Sequence, residues 1–184
     1  MIYTDSSQPV ERRVEDLLRR MTVEEKSNQL SSVWSYELIE QSRFSQQKAA
    51  SRIQNGIGQI TRIGGATLLR PAEAARTANQ IQRYLMEVTR LGIPAIIHEE
   101  CCSGLMMRGA TLFPQAIGVA ASWNPELTQQ MADIIRRQGR QMGAHQTLAP
   151  VLDVTRDPRW GRTEETMGED PYLVSRMGTS YVEG

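Results

Sequence analysis

Short apolar segments alternate with long amphipathic ones along this chain, and that alternation limits the fold more than any other feature. "IGQIT" (residues 57–61), "IPAIIHE" (93–99) and "TLAPVLDVT" (147–155) read as strands. The middle of the second is the unbroken run Ala95-Ile96-Ile97, which suits a strand covered on both faces. Between the first two, Pro71 opens a helix expected to reach about Arg90. Ala75, Ala78, Ile81, Tyr84, Leu85 and Val88 would form its buried face. Asn124-Pro125 starts another helix, with Leu127, Met131, Ile134, Ile135 and Met142 as its stripe. Asp170-Pro171 starts a last one running toward Tyr181. Gly92 and Gly143 stand where C-cap glycines would. A further short strand is expected at residues 117–121. Strands separated by helices of this length argue for βα units and a parallel sheet, an α/β fold.

The first 56 residues are different. Val10, Val14, Leu17, Leu18 and Met21 fall at helical spacing behind Pro9, and Thr22 with Glu25 reads as a capping box opening a second helix. Residues 31–56 are mostly polar and predict an irregular connection plus one helix ending near Asn55-Gly56. The 184 residues have room for one domain, whereas a complete (β/α)8 barrel takes ~250. A TIM-like barrel would therefore be present only in part, roughly its N-terminal half. Residues 1–184 would form that single partial domain, with 1–30 as helices preceding the barrel.

Charge narrows the partners. Lys plus Arg and Asp plus Glu number 21 each, so no electrostatic case exists for nucleic acid or an anionic membrane surface. No window reaches the ~18 apolar residues of a membrane span. The N-terminus lacks an apolar core behind basic residues, which predicts a cytoplasmic chain. The two cysteines are adjacent, a spacing that closes almost no loop, so no disulfide framework is expected.

Polar residues gather where the expected strands end, the place where parallel α/β folds build their sites. "HEECCSG" (98–104) follows the second strand and "TRDPRWGRTEETMGED" (155–170) the last. "RIGGATLLR" (62–70) follows the first, and its glycines match no phosphate-loop spacing. His98, Glu99, Glu100, Cys101 and Cys102 are all metal ligands by type, but contiguous strand residues point to alternate faces and do not converge. A cysteine nucleophile would need an orienting base, and both thiols read better as packing. In "RDPRWGR", Arg156 with Asp157, and Arg159 beside them, are expected to hold the loop. Trp160 offers an apolar platform.

At this point the residues resemble a family. "LAPVLDVTRDPRWGRTEETMGEDPYLVSRMG" is similar to the signature region of glycoside hydrolase family 3, which contains β-glucosidases and β-xylosidases. "VEDLLRRMTVEEKSNQL", "LGIPAIIHEECCSG" and "ATLFPQAIGVAASWNPEL" resemble its other segments in the same order. The resemblance implies the N-terminal part of a (β/α)8 barrel in an enzyme that hydrolyses terminal β-linked glucosyl or xylosyl residues with retention. The substrate would be a β-glycoside or oligosaccharide, and no metal or organic cofactor is needed. By the same resemblance Glu100 and Arg162 bind substrate: Glu100 accepts from sugar hydroxyls and Arg162 donates to them. His98, Glu99, Arg156 and Trp160 are supports.

Two departures stand out. Relatives often carry "HEECLHG", so Cys102 and Ser103 replace a leucine and a histidine. The family's "KHF" motif and the "SDW"-like motif of its nucleophile match nothing in the 184 residues. The resemblance places them, and the acid/base residue, beyond Gly184. The expectation is an N-terminal fragment, inactive alone. The alternative is a genuine short half barrel acting as a non-catalytic sugar-binding or interaction module. A half barrel exposes sheet edges, which a homo-oligomer would bury.

Overall fold

The computed structural model describes all 184 residues. A single 3-10 turn at Ile2–Thr4 precedes α1 (Val10–Arg20) and α2 (Val23–Gln29). The Thr22 capping box forms: its hydroxyl accepts the Glu25 N–H, and the Glu25 carboxylate accepts the Thr22 N–H. The apolar spacing of α1 gives a helix but no buried stripe. No α1 residue is buried, and Val10, Val14 and Leu18 face solvent. The segment is tied on by polar bonds instead. The Tyr3 hydroxyl donates to Leu91 O at 2.9 Å, and Arg90 Nε donates to Glu25 Oε1 at 2.8 Å. Both anchors precede the third sheet strand, so residues 1–30 lie at the end of the sheet opposite the polar loops.

Residues 31–56 hold more structure than their polarity predicts. Ser32–Trp34 is β1, a strand of the main sheet. A hairpin follows, β2 (Ile39–Glu40) against β3 (Arg43–Phe44), and then α3 (Gln46–Arg52). Phe44 packs edge-on against Tyr84 at 6.0 Å, which seats the hairpin on the next long helix. "IGQIT" therefore supplies the second sheet strand, β4 (Gln59–Thr61), not the first.

α4 (Pro71–Val88) buries Ala74, Thr77, Ala78, Ile81, Tyr84 and Leu85. Val88 is its last residue and stands clear of the core at 61% exposure. β5 (Ile96–Glu99) follows Gly92, whose φ of +62° turns the chain. The strand expected at 117–121 is instead α5 (Ala116–Ala120). Val119 N–H donates to Gln115 O and Ala121 N–H to Ile117 O, so local helical bonds are made where no sheet partner stands alongside. α6 (Pro125–Gln141) begins at the Asn124 cap, and β6 is only Gln146–Thr147. Leu148 N–H still donates to Glu99 O, but two residues on Pro150 has no N–H to continue the ladder, so most of "TLAPVLDVT" is not strand. α7 (Pro171–Glu183) starts at the Asp170 cap.

The four strands run parallel in the order β1-β4-β5-β6, the start of a (β/α)8 arrangement with helices between successive strands. The register aligns Val33, Ile60 and Ile97 in one row. All three are buried and share one core with Ile81, Leu85, Ile135 and Met177 of the helices. The next row, on the opposite face, is Trp34, Thr61, His98 and Gln146.

Candidate active site

The C-terminal ends of β1, β4 and β5 bring Trp34, Arg62 and the "HEECCSG" stretch together. His98 lies in the aligned row, with Nε2 3.1 Å from the Thr61 hydroxyl. Burial and the neighbouring Arg62 guanidinium hold its pKa below the usual imidazole value, so the ring is neutral near pH 7. Its Nδ1 is buried without a partner.

Glu99 and Glu100 turn opposite ways, as the strand alternation requires. Glu99 is fully buried. Its two oxygens accept the N–H groups of Gly64 at 2.7 Å and Gly65 at 3.1 Å, so this carboxylate fixes the turn after β4. Burial raises its pKa, and those N–H donors oppose the rise. Glu100 instead lies just past the strand end and is partly exposed. Oε2 accepts from Arg62 Nη2 at 2.7 Å. Oε1 accepts from the Cys101 N–H at 3.2 Å and the Cys102 thiol at 3.3 Å.

Both thiols are poor nucleophiles here. Burial first, and the surrounding carboxylates second, push Cys101 and Cys102 up to about 12. Of the five ligand-type side chains of "HEECC", Glu100 and Cys102 touch, while His98 turns to Thr61 and Glu99 to the Gly64–Gly65 turn.

Arg162 lies on the loop after β6. Its Nε and Nη2 both donate to Glu165 Oε2, at 3.0 and 2.6 Å, and the guanidinium stays more than half exposed. That pairing holds the Glu165 carboxyl below its ordinary range. Cys102 Sγ is 4.0 Å from the same Glu165 oxygen. Glu100 and Arg162 therefore meet through Cys102 and Glu165, from two separate strand-end loops.

The remaining loop residues differ from expectation. Asp157 pairs with Arg159, not Arg156. Its Oδ1 accepts the Arg159 N–H at 2.9 Å, a tight turn that swings the Arg159 fork back onto the carboxylate. Arg156 is exposed and makes no ion pair. Trp160 is 39% exposed at the tip of this turn. Arg62 was not singled out by sequence. The signal was available: a cation directly after a strand-ending Thr61, ahead of Gly64-Gly65.

Residues 22–184 match the profile of the Glycosyl hydrolase family 3 N terminal domain. The chain belongs to this family. A periplasmic β-glucosidase/β-xylosidase of Dickeya chrysanthemi is 33% identical over 99% of this chain and 29% of its own length. Among solved structures, a β-glucosidase from Erythrobacter marinus is 32% identical, with a TM-score of 0.84, over 98% of this chain and 24% of that one. A β-glucosidase from Listeria innocua, solved with laminaribiose, is 26% identical with a TM-score of 0.74, over 94% of this chain and 23% of that one. The chain thus spans about a quarter of the length of the relatives it matches. The segment corresponds to the N-terminal part of the family's barrel.

Proposed function

We propose that this segment supplies the sugar-gripping side of a retaining β-glycosidase acting on terminal β-D-glucosyl or xylosyl residues. The observation that carries the reading is that Glu100 and the Arg162–Glu165 pair flank Cys102 from two strand-end loops, Glu100 touching the thiol and Glu165 lying 4.0 Å from it. A charged carboxylate takes sugar O–H bonds, and a forked guanidinium gives N–H bonds to a neighbouring hydroxyl. The names of the relatives, β-glucosidase and β-xylosidase, support the substrate class. In this reading the attacking aspartate and the acid/base residue belong to the part of the relatives' length that these residues do not cover. The chemistry would proceed through a glycosyl-enzyme formed and broken by those two carboxyl groups, with Glu100 and Arg162 orienting the sugar.

The test is binding and turnover by the purified 184-residue chain. Methyl β-D-glucopyranoside should bind weakly by NMR titration, and Glu100→Ala and Arg162→Ala should each weaken that binding about tenfold, the worth of one charge-assisted hydrogen bond. An aryl β-glucoside should not be hydrolysed. Turnover lost in Glu100→Ala would refute the division of labour. Binding indifferent to both substitutions would refute the residue assignment.

A further inference from the structure

We infer that Arg62 is a second sugar-binding residue, forming with Glu100 a donor–acceptor clamp on hydroxyls of the terminal sugar. The inference rests on the sugar-binding reading above.

Three observations carry it. First, Arg62 is held in place by its surroundings rather than by its own preference. Its φ is +51°, a region that residues with a side chain seldom occupy. Its N–H donates to His98 O at 2.9 Å, and its C=O accepts from the Ser35 hydroxyl at 2.9 Å. Such imposed conformations cluster where a side chain must be aimed. Second, the guanidinium lies over the Trp34 ring, 5.7 Å from its centroid, which fixes its plane. Third, its donors are mostly unused. Only Nη2 has a partner, Glu100. Nε is buried with none, while Nη1 is neither hydrogen-bonded nor buried. The donor left open to a ligand is therefore the accessible Nη1, next to the Nη2 that holds Glu100.

The acceptor side has a matching vacancy. Glu100 Oε1 already takes two donors, Cys101 N–H and the Cys102 thiol. Oε2 takes one. A carboxylate oxygen accepts two, so the open position is on Oε2, beside the guanidinium. One sugar hydroxyl can give its hydrogen to Oε2 while its own or the adjacent hydroxyl oxygen accepts from Nη1. A terminal sugar with free neighbouring hydroxyls fits this pattern, and one blocked there does not.

The test compares wild type, Arg62→Lys, Arg62→Ala and Glu100→Ala in the 184-residue chain, titrated with methyl β-D-glucopyranoside. The readouts are the dissociation constant and the Arg62 Nε–H NMR signal, identified by its loss in Arg62→Lys. Lysine keeps a charge beside Glu100 but lacks the planar fork. Binding should weaken about tenfold in Arg62→Lys, with native far-UV circular dichroism, and the Arg62 signal should move on titration of wild type. If Glu100→Ala loses binding but Arg62→Lys binds as wild type and the signal stays still, the clamp is wrong and the site reading survives. If no protein binds the glycoside, the site reading falls, and the clamp with it.

Discussion

Glu99 gives the sharpest stability test, because its carboxylate is fully buried and its two partners are backbone groups. Glu99→Ala leaves two N–H groups unpaired. Gly64 is buried, so its N–H has no access to water, and a stranded buried donor costs about 1–3 kcal/mol. Gly65 is partly exposed and recovers some hydration. Truncation also returns the desolvation cost of the carboxylate, so a net loss of about 2 kcal/mol is expected. Glu99→Gln keeps one acceptor oxygen but turns an NH2 toward an N–H, and should cost about half as much. Urea unfolding followed by circular dichroism measures both. The pH dependence follows from the raised folded pKa. The native state holds the Glu99 proton at pH values where the unfolded chain, near the ordinary 4.5, has lost it. Wild-type stability from this group therefore falls as pH rises from 4.5 through the folded value. The wild-type advantage over Glu99→Gln should be largest at the acid end and shrink above it. Two variants within about 0.5 kcal/mol of wild type would refute the assignment of Glu99 as the clasp of the turn, since surface changes stay within about that range. An advantage that grows with pH would instead show that the Gly64 and Gly65 N–H donors outweigh burial at this carboxyl.

Other consequences are more local. Arg90 holds the Glu25 carboxyl below its ordinary value, so that pair stabilises above pH 4.5 and its contribution is lost as pH falls through the lowered value; Glu25→Gln should show a flatter loss of urea midpoint on acidification. Gly104 has φ +104°, and a Cβ there would sit 2.2 Å from Thr111 O. Gly109 also has positive φ but nothing within 4 Å, so Gly109→Ala should cost only the backbone term, about 1–2 kcal/mol, and Gly104→Ala at least roughly double. Equal costs would show that the Thr111 contact yields. Both thiols should resist iodoacetamide in mildly alkaline buffer and react once urea unfolds the chain; rapid native labelling of Cys102 would contradict its raised pKa.

The capped helices were legible because their signals are local. Thr22 with Glu25, Asn124 with Pro125 and Asp170 with Pro171 each satisfy end groups within three residues. Strands were harder, because their bonds lie elsewhere in the chain. β1 is three residues with two exposed, and only pairing with Gln59–Thr61 makes it a strand. Residues 117–121 are apolar enough for a strand but have no sheet partner. At the site, Glu99 and Glu100 are indistinguishable by type, and only their place separates them, Glu99 as the last residue of β5 and Glu100 as the first beyond it. The role of Arg62 is not marked locally, because its partners, Trp34 and Glu100, are distant in sequence.

The opposed carboxylates make β5 a two-sided coupling. One side clasps residues 62–70, and the other meets Arg62, which belongs to the same loop. A change in that loop's length is thus felt at Glu100 without any change in β5. Ligand preference can drift by exchanging residues 62–70 while the strand stays fixed. A single residue inserted before Glu99 would do the reverse: it would carry Glu99 into the place of Glu100, keep a carboxylate beside Arg62, and leave the inserted residue facing the turn, so the clasp alone is lost.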